Sequence, residues 1–287
     1  MDKNIDVVIL ETPEEDTDPI RFIIRNTTPA FANTLRRIMI AEVPTLAIED
    51  VIFIENTTPL QDEFIAHRLG LIPITTDLSM LNFKDECSCG GAGCSLCTVS
   101  LTLEAETAED ETMVVYSRSL KSSDPILSPV SDKIPIIKMA PGQRLILEAI
   151  AELGRGKEHA KWQPVSTAAF QYMPEIEVQP RKTDPEIAEA CPRGVLQYNE
   201  EEETIEVVDL FQCNLCMECV KAAKRVDDPD VISVKGSPEH IIMRIEPTGA
   251  LPAEEIVFEA ANILKERATN FLESLKNEIT KKQEANE

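Results

Sequence analysis

Phe31-Ala32-Asn33-Thr34-Leu35-Arg36-Arg37-Ile38-Met39-Ile40-Ala41-Glu42-Val43-Pro44-Thr45 is the stretch from which the remainder of the chain is read. Phe31, Leu35, Ile38 and Met39 fall at i, i+4, i+7 and i+8, a spacing that lines one face of an α-helix. Thr28 stands ahead of it as a cap, and Pro29 takes the first helical position, where a missing N–H costs nothing. The pattern predicts an amphipathic helix over residues 30–41, with Arg36 and Arg37 near its apolar face. Upstream, Ile5 to Leu10 and Ile20 to Ile24 read as two antiparallel strands broken by Glu14-Glu15-Asp16 and Pro19.

Downstream, a strand is expected from Ile48 to Glu55 and a short helix from Gln61 to Leu71, which Pro73 ends. From about Asp77 to Phe170 short alternating segments such as Val99 to Leu103 and Met113 to Tyr116 lie between Pro125, Pro129, Pro135 and Pro141, the mark of a small β-rich region. A compact unit of little core follows between Glu175 and Val226. Val231 to Val234 and His240 to Ile245 read as strands. Beyond them, residues 252–282 carry Ile256, Ala260, Ile263, Leu264, Phe271, Leu275 and Ile279 on one side. Such a helix would be about 45 Å long. Its stripe either lies across the chain's own sheet or packs against another chain.

Composition narrows the function classes. The 287 residues provide enough chain for about two domains. Lys and Arg total 28 against 51 Asp and Glu, a net charge of −23, which repels phosphate backbones and argues against direct DNA contact or binding to an anionic membrane. Apolar runs stay far below the roughly 20 residues that cross a bilayer. Met1-Asp2-Lys3-Asn4 lacks the basic and apolar regions of a secretory signal, so a cytoplasmic location is expected.

In a reducing compartment eight cysteines point to metal ligation or buried thiols rather than disulfides. Cys87, Cys89, Cys94 and Cys97 lie within eleven residues and are separated by Gly90, Gly91 and Gly93. Tetrahedral thiolate coordination needs two close pairs folded face to face by a loop that takes positive φ, so a structural Zn2+ is the expected occupant, with a second iron–sulfur cluster or free thiols in a flexible loop as the alternatives. Cys213, Cys216 and Cys219 repeat the three-cysteine run of bacterial ferredoxins, and Cys191-Pro192 supplies the distant cysteine followed by proline. Between them a hairpin is expected, with Glu200 to Glu203 as its solvated turn. One iron–sulfur cluster follows, 4Fe–4S if Cys191 ligates and 3Fe–4S otherwise, with zinc as the competing occupant.

Catalytic signatures are missing. Gly154-Arg155-Gly156-Lys157 lacks the leading glycine and the trailing hydroxyl of a phosphate loop, and is expected to follow a helix rather than a strand. It reads as a basic loop. His67, His159 and His240 stand apart from both cysteine groups and are expected to be structural or surface residues.

The opening stretch, with Asp62-Glu63-Phe64-Ile65-Ala66-His67-Arg68-Leu69-Gly70-Leu71-Ile72-Pro73 and His159-Ala160-Lys161-Trp162-Gln163-Pro164-Val165, resembles the subunit 3 family of archaeal DNA-directed RNA polymerase. That family is the counterpart of the bacterial alpha subunit and of the eukaryotic third-largest subunit. The resemblance implies an α+β fold: a discontinuous alpha-subunit-like dimerisation domain of residues 1–55 and 227–287. It further implies a β-rich insertion domain of residues 56–172 with a zinc loop at 87–97, and a ferredoxin-like iron–sulfur module of residues 173–226. It implies a non-catalytic scaffold of a nucleotidyltransferase complex. This scaffold pairs with subunit L through the helix at 30–41 and the long terminal helix, joins subunits N and P, and docks against the second-largest subunit. No catalytic residue is expected. The competing reading is a ferredoxin-type electron carrier, for which no flavin or nicotinamide motif is present.

Overall fold

The computed structural model describes residues 4–284; Met1 to Lys3, part of the N-terminal reading, lie outside the described residues, as do 285–287. The chain is α+β. In order it forms β1 (Asp6–Glu11), β2 (Ile20–Arg25), α1 (Pro29–Ala41), β3 (Pro44–Asn56), α2 (Asp62–Gly70), β4 (Thr98–Glu106), β5 (Met113–Tyr116), β6 (Lys121–Ser122), β7 (Pro135–Met139) and β8 (Arg144–Arg155). Then come β9 (Val165–Val178), α3 (Glu186–Glu189), β10 (Leu196–Asn199), β11 (Thr204–Val207), α4 (Glu218–Arg225), β12 (Ile232–Pro247) and α5 (Ala253–Glu284). Two compact units share the described residues, one of residues 4–11, 21–33 and 169–244, the other of residues 12–20, 34–168 and 245–284. Both the expected first segment, 1–55, and the last, 227–287, contribute residues to each unit.

The second unit is built on a sheet of order β3-β8-β4-β6. Strand β8 pairs antiparallel with β3 on one side and β4 on the other, so that Leu147 lies opposite both Phe53 and Leu103. Here the structure corrects the sequence reading. The segment before Gly154 belongs to this central strand and not to a helix, and the strand runs on through Gly154 and Arg155, so only Gly156 and Lys157 of the expected basic loop lie beyond it. Leu145, Leu147, Ala149, Ala151 and Leu153 alternate into the core, a period of two that the helix-favouring Ala, Leu and Glu of the run conceal. Together with Leu46, Ile48, Ile65, Leu69, Leu101 and Leu103 they form one contiguous apolar cluster. The β5–β7 ribbon adds Val115, Ile137 and Met139 to it.

Within this unit the His159 to Val165 string closes the end of the β3–β8 ladder. Trp162 is buried against Gly154, where a Cβ would come within 2.3 Å of the indole ring. Its Nε1–H donates to the Glu152 carbonyl at 3.1 Å, and the Thr45 hydroxyl donates to the Trp162 carbonyl at 3.0 Å. Gly156 passes so close to the end of α1 that a Cβ there would meet the Ile40 carbonyl oxygen at 2.2 Å.

In the first unit a sheet of order β1-β2-β12-β9 carries most of the regular structure. The strands expected at 231–234 and 240–245 merge into the single strand β12, which runs through Gly236. Absence of a side chain lets Tyr172 press against it, since a Cβ would lie 2.7 Å from that of Tyr172. The cap expected at Thr28 is present, its hydroxyl accepting the Phe31 N–H at 3.3 Å. Such a bond contributes about 1 kcal/mol to a helix start. The β10–β11 hairpin forms as expected, with Asn199 opposite Thr204 across the acidic turn. Around it α3 and α4, unforeseen from sequence, pack Ile187, Ala222 and Ala223 against Val195, Ile205 and Val231.

Candidate metal centres and the dimerisation fold

The first cysteine group converges on a point. Cys87, Cys89, Cys94 and Cys97 bring their sulfurs all within 4.8 Å of one another. Three of the Sγ–Sγ separations are 3.6 Å (Cys87 to Cys94), 3.7 Å (Cys89 to Cys97) and 3.8 Å (Cys94 to Cys97). For a tetrahedral ion with metal–sulfur bonds of about 2.3 Å, the edge of the tetrahedron is about 3.8 Å. The local chain explains the convergence. Gly90, Gly91 and Gly93 have φ of 66°, 84° and 87°, which residues with a Cβ rarely adopt, and they fold one cysteine pair over the other. Backbone bonds from Cys97 N–H and Thr98 N–H to the Cys94 carbonyl, at 2.9 and 2.8 Å, close the second turn.

Charge in this group is uneven. Burial pushes the Cys97 thiol up to about 12. Cys89 is also pushed upward by burial, but hydrogen bonds with Cys87 and Cys97 and with the backbone of Gly93 and Gly91 prevail and bring it down to about 6. A cation placed among the four sulfurs would offset the cost of ionising all of them. The loop is anchored to the sheet of its unit by the ion pair of Lys84 with Glu152 at 2.8 Å and by Arg155, whose guanidinium stacks 4.0 Å above the Phe83 ring.

The second cysteine group lines a wall rather than a point. Cys191, Cys213, Cys216 and Cys219 all border one narrow cavity with Ile176 and Val234, its volume only about 10 Å3. Cys219 is buried and Cys216 is exposed. Burial is the leading cause that raises the Cys219 thiol, followed by the charges of Cys191, Cys216 and Cys213, so the four groups lie within electrostatic reach. Burial likewise raises Cys213.

Leu215 and Met217, the residues just before and after Cys216, take φ of 58° and 63°. For residues with a Cβ this left-handed conformation costs roughly 1 to 2 kcal/mol each. Left-handed residues of this kind occur in backbone turns that receive anions and iron–sulfur clusters. Neither residue stands out in the sequence, because nothing in the side chain of a leucine or a methionine signals positive φ. The Gln171 side-chain amide donates to the Cys213 carbonyl at 3.4 Å, joining this loop to β9.

Helix α5 supplies the third feature. Ile256 and Ala260 are buried, but Phe271, Leu275 and Ile279 on the same stripe are 66%, 47% and 50% exposed. A model of the RNA polymerase Rpb3/Rpb11 dimerisation domain matches residues 21–268, from the start of β2 into α5. This chain belongs to the RNA polymerase subunit 3 family. DNA-directed RNA polymerase subunit Rpo3 of Methanosphaera stadtmanae is 40% identical over 272 residues, 94% of this chain and 99% of the relative. Rpo3 of Archaeoglobus fulgidus is 40% identical, with 90% and 94% covered. Subunit rpb3 of RNA polymerase II from Dictyostelium discoideum is 38% identical, with 91% and 93% covered.

Membership of the Rpb3/Rpb11 dimerisation family indicates dimerisation within an RNA polymerase. Among the described residues no helix is long and apolar enough to cross a membrane. His159 serves the local backbone, its Nδ1 accepting the Lys161 N–H at 3.1 Å.

Proposed function

We propose that this chain is the non-catalytic assembly subunit of a DNA-dependent RNA polymerase, paired with subunit L through α1 and α5. The observation that carries the reading is the exposed apolar stripe of α5 on a chain of the Rpb3/Rpb11 dimerisation family. The helix has 32 residues, a length of about 48 Å, and its own unit buries only the first turns. The heterodimer then joins subunits N and P and docks the second-largest subunit, without contacting DNA itself. Residues 1–55 and 227–287 form the dimerisation domain, 56–172 the β-rich insertion and 173–226 a ferredoxin-like module.

Both cysteine groups serve folding in this reading. Cys87, Cys89, Cys94 and Cys97 hold a structural Zn2+, supported by sulfur separations of 3.6 to 3.8 Å. Cys191, Cys213, Cys216 and Cys219 hold one iron–sulfur cluster, 4Fe–4S with Cys191 as the fourth ligand. A cavity lined by all four cysteines and the left-handed backbone at Leu215 and Met217 support this. Bound metal supplies cross-links, worth roughly 10 to 16 kcal/mol for structural zinc in peptides, that add to the small apolar core around Ile187, Val195 and Ile205. An electron carrier would leave α5 and most of the family match without a role.

Purification of the native complex tests the assignment. Polymerase subunits, with a small dimerising partner in equal amount, are expected to co-purify, and recovery without any polymerase subunit would overturn it. Metal analysis with electron paramagnetic resonance on the same preparation is expected to find one zinc and an iron–sulfur signal.

A further inference from the structure

Acidic residues outnumber basic ones by 51 to 28, yet the ten residues walling one cavity of the first unit include three arginines and no carboxylate. Arg21 on β2 and Arg244 on β12 stand on neighbouring strands of the sheet, and Arg193 comes from the loop after Cys191. The side-chain amides of Gln171, Gln212 and Asn214 share the wall. Every polar side chain of the lining thus offers N–H donors, and none carries a negative charge.

Arg21 is fixed in place. Its Nη1 donates to the Glu11 carboxylate at 3.1 Å and its Nη2 to the Phe211 carbonyl, and its side chain is only 15% exposed. Arg193 and Arg244 are exposed at the rim. A guanidinium anchored by its neighbours loses little freedom on meeting an anion, and its planar fork matches phosphate oxygens in pairs.

We propose that this cavity is a receptor site for a polyphosphate group, either free pyrophosphate or the tail of a nucleoside triphosphate. Its volume, about 210 Å3, lies below the roughly 300 Å3 at which pockets begin to enclose drug-sized ligands, and it suits a compact anion of two or three linked phosphates. Three guanidiniums, of which Arg21 is already paired with Glu11, in a lining with no carboxylate of its own give the chemical class. Arg193 and Asn214 also border the cavity of the second cysteine group, so a ligand here would sit beside those cysteines.

The test is calorimetric titration of the full chain, purified anaerobically with its metals, in magnesium-free buffer. Sodium pyrophosphate and ATP are the two probes. Saturable binding with one site per chain is expected, weakened about tenfold or more by Arg193→Gln and by Arg244→Gln with unchanged melting temperature. Pyrophosphate binding as tightly as ATP would identify the free anion, and ATP binding tenfold tighter would identify the nucleotide; either supports the site. No saturable binding at millimolar probe, binding that survives both substitutions, or an oligoglutamate peptide that binds more tightly than pyrophosphate would overturn it. The last outcome would assign the cavity to an acidic segment of another protein. Arg21 is left unchanged because its bonds to Glu11 and Phe211 also hold the unit together.

Discussion

At the scale of single residues, close approach rather than chemistry explains the glycines of the Gly154-Arg155-Gly156-Lys157 segment. Read as sequence, they suggest a phosphate loop and fail its pattern. In the fold Gly154 makes room for the indole of Trp162, and Gly156 for the carbonyl of Ile40. The two glycines differ in what must yield, a ring for one and backbone for the other. Gly156→Ala puts a methyl carbon 2.2 Å from a helix carbonyl, and backbone relaxes less readily than a side-chain tip. A loss of about 2 to 3 kcal/mol is expected, which lowers the melting temperature of a unit this size by several degrees in a thermal scan. An unchanged midpoint would mean that α1 and the basic loop are not tightly apposed.

Residue-level reading succeeded where the chemistry is local. Thr28 as cap, Pro29 at the first helical position and three glycines with positive φ between cysteines all follow from short-range sterics and hydrogen bonding. It failed at Leu215 and Met217, where the backbone conformation is imposed by the loop around them.

Among the elements, α5 separates intramolecular from intermolecular function. Its first turns belong to the core of its own unit, through Ile256 and Ala260, and its later turns expose Phe271, Leu272, Leu275 and Ile279. Glu42 reaches across to Arg267 with a hydrogen bond of 2.8 Å from the guanidinium, so the helix is also tied to the residue after α1. Leu275→Glu should leave the isolated chain within about 0.5 kcal/mol of its starting stability, because the side chain is already half exposed. It should weaken pairing with the dimer partner by about 2 kcal/mol or more, roughly thirtyfold, if Leu275 sits at the centre of that interface. Sedimentation or titration of the heterodimer measures it. Undiminished pairing would move the interface away from the distal half of α5.

Strand β8 teaches the opposite lesson. Its composition favours a helix, and only pairing on both sides with β3 and β4 makes it the centre of a sheet. Propensity is a weak prior when two neighbours offer a full ladder of hydrogen bonds.

For the whole molecule, the two cysteine groups lie in different compact units, Cys87 to Cys97 in one and Cys191 to Cys219 in the other. If the proposed occupants are right, replacing Cys213 and Cys216 together with serine removes iron while leaving zinc at full occupancy, measurable by elemental analysis. Docking of the larger polymerase subunits should suffer, whereas pairing with the dimer partner should survive, because the exposed stripe of α5 lies in the other unit. Loss of pairing as severe as the loss of docking would mean that the units are not independent. A net charge of −23 is compatible with this assembly role, for it argues against a DNA-binding surface without excluding a place in a DNA-transcribing complex.

The amino-acid sequence by itself determined the α+β class, the helix after Thr28, the terminal helix, both cysteine sets and the family, because each rests on short spacings or long specific strings. Tertiary structure alone decided that one cysteine set closes to within 4.8 Å while the other lines a cavity, that β8 is a strand, and that the α5 stripe emerges into solvent. Those outcomes depend on which distant segments meet: sulfur separation, strand pairing and exposure are properties of pairs far apart in the chain, and no local pattern records them.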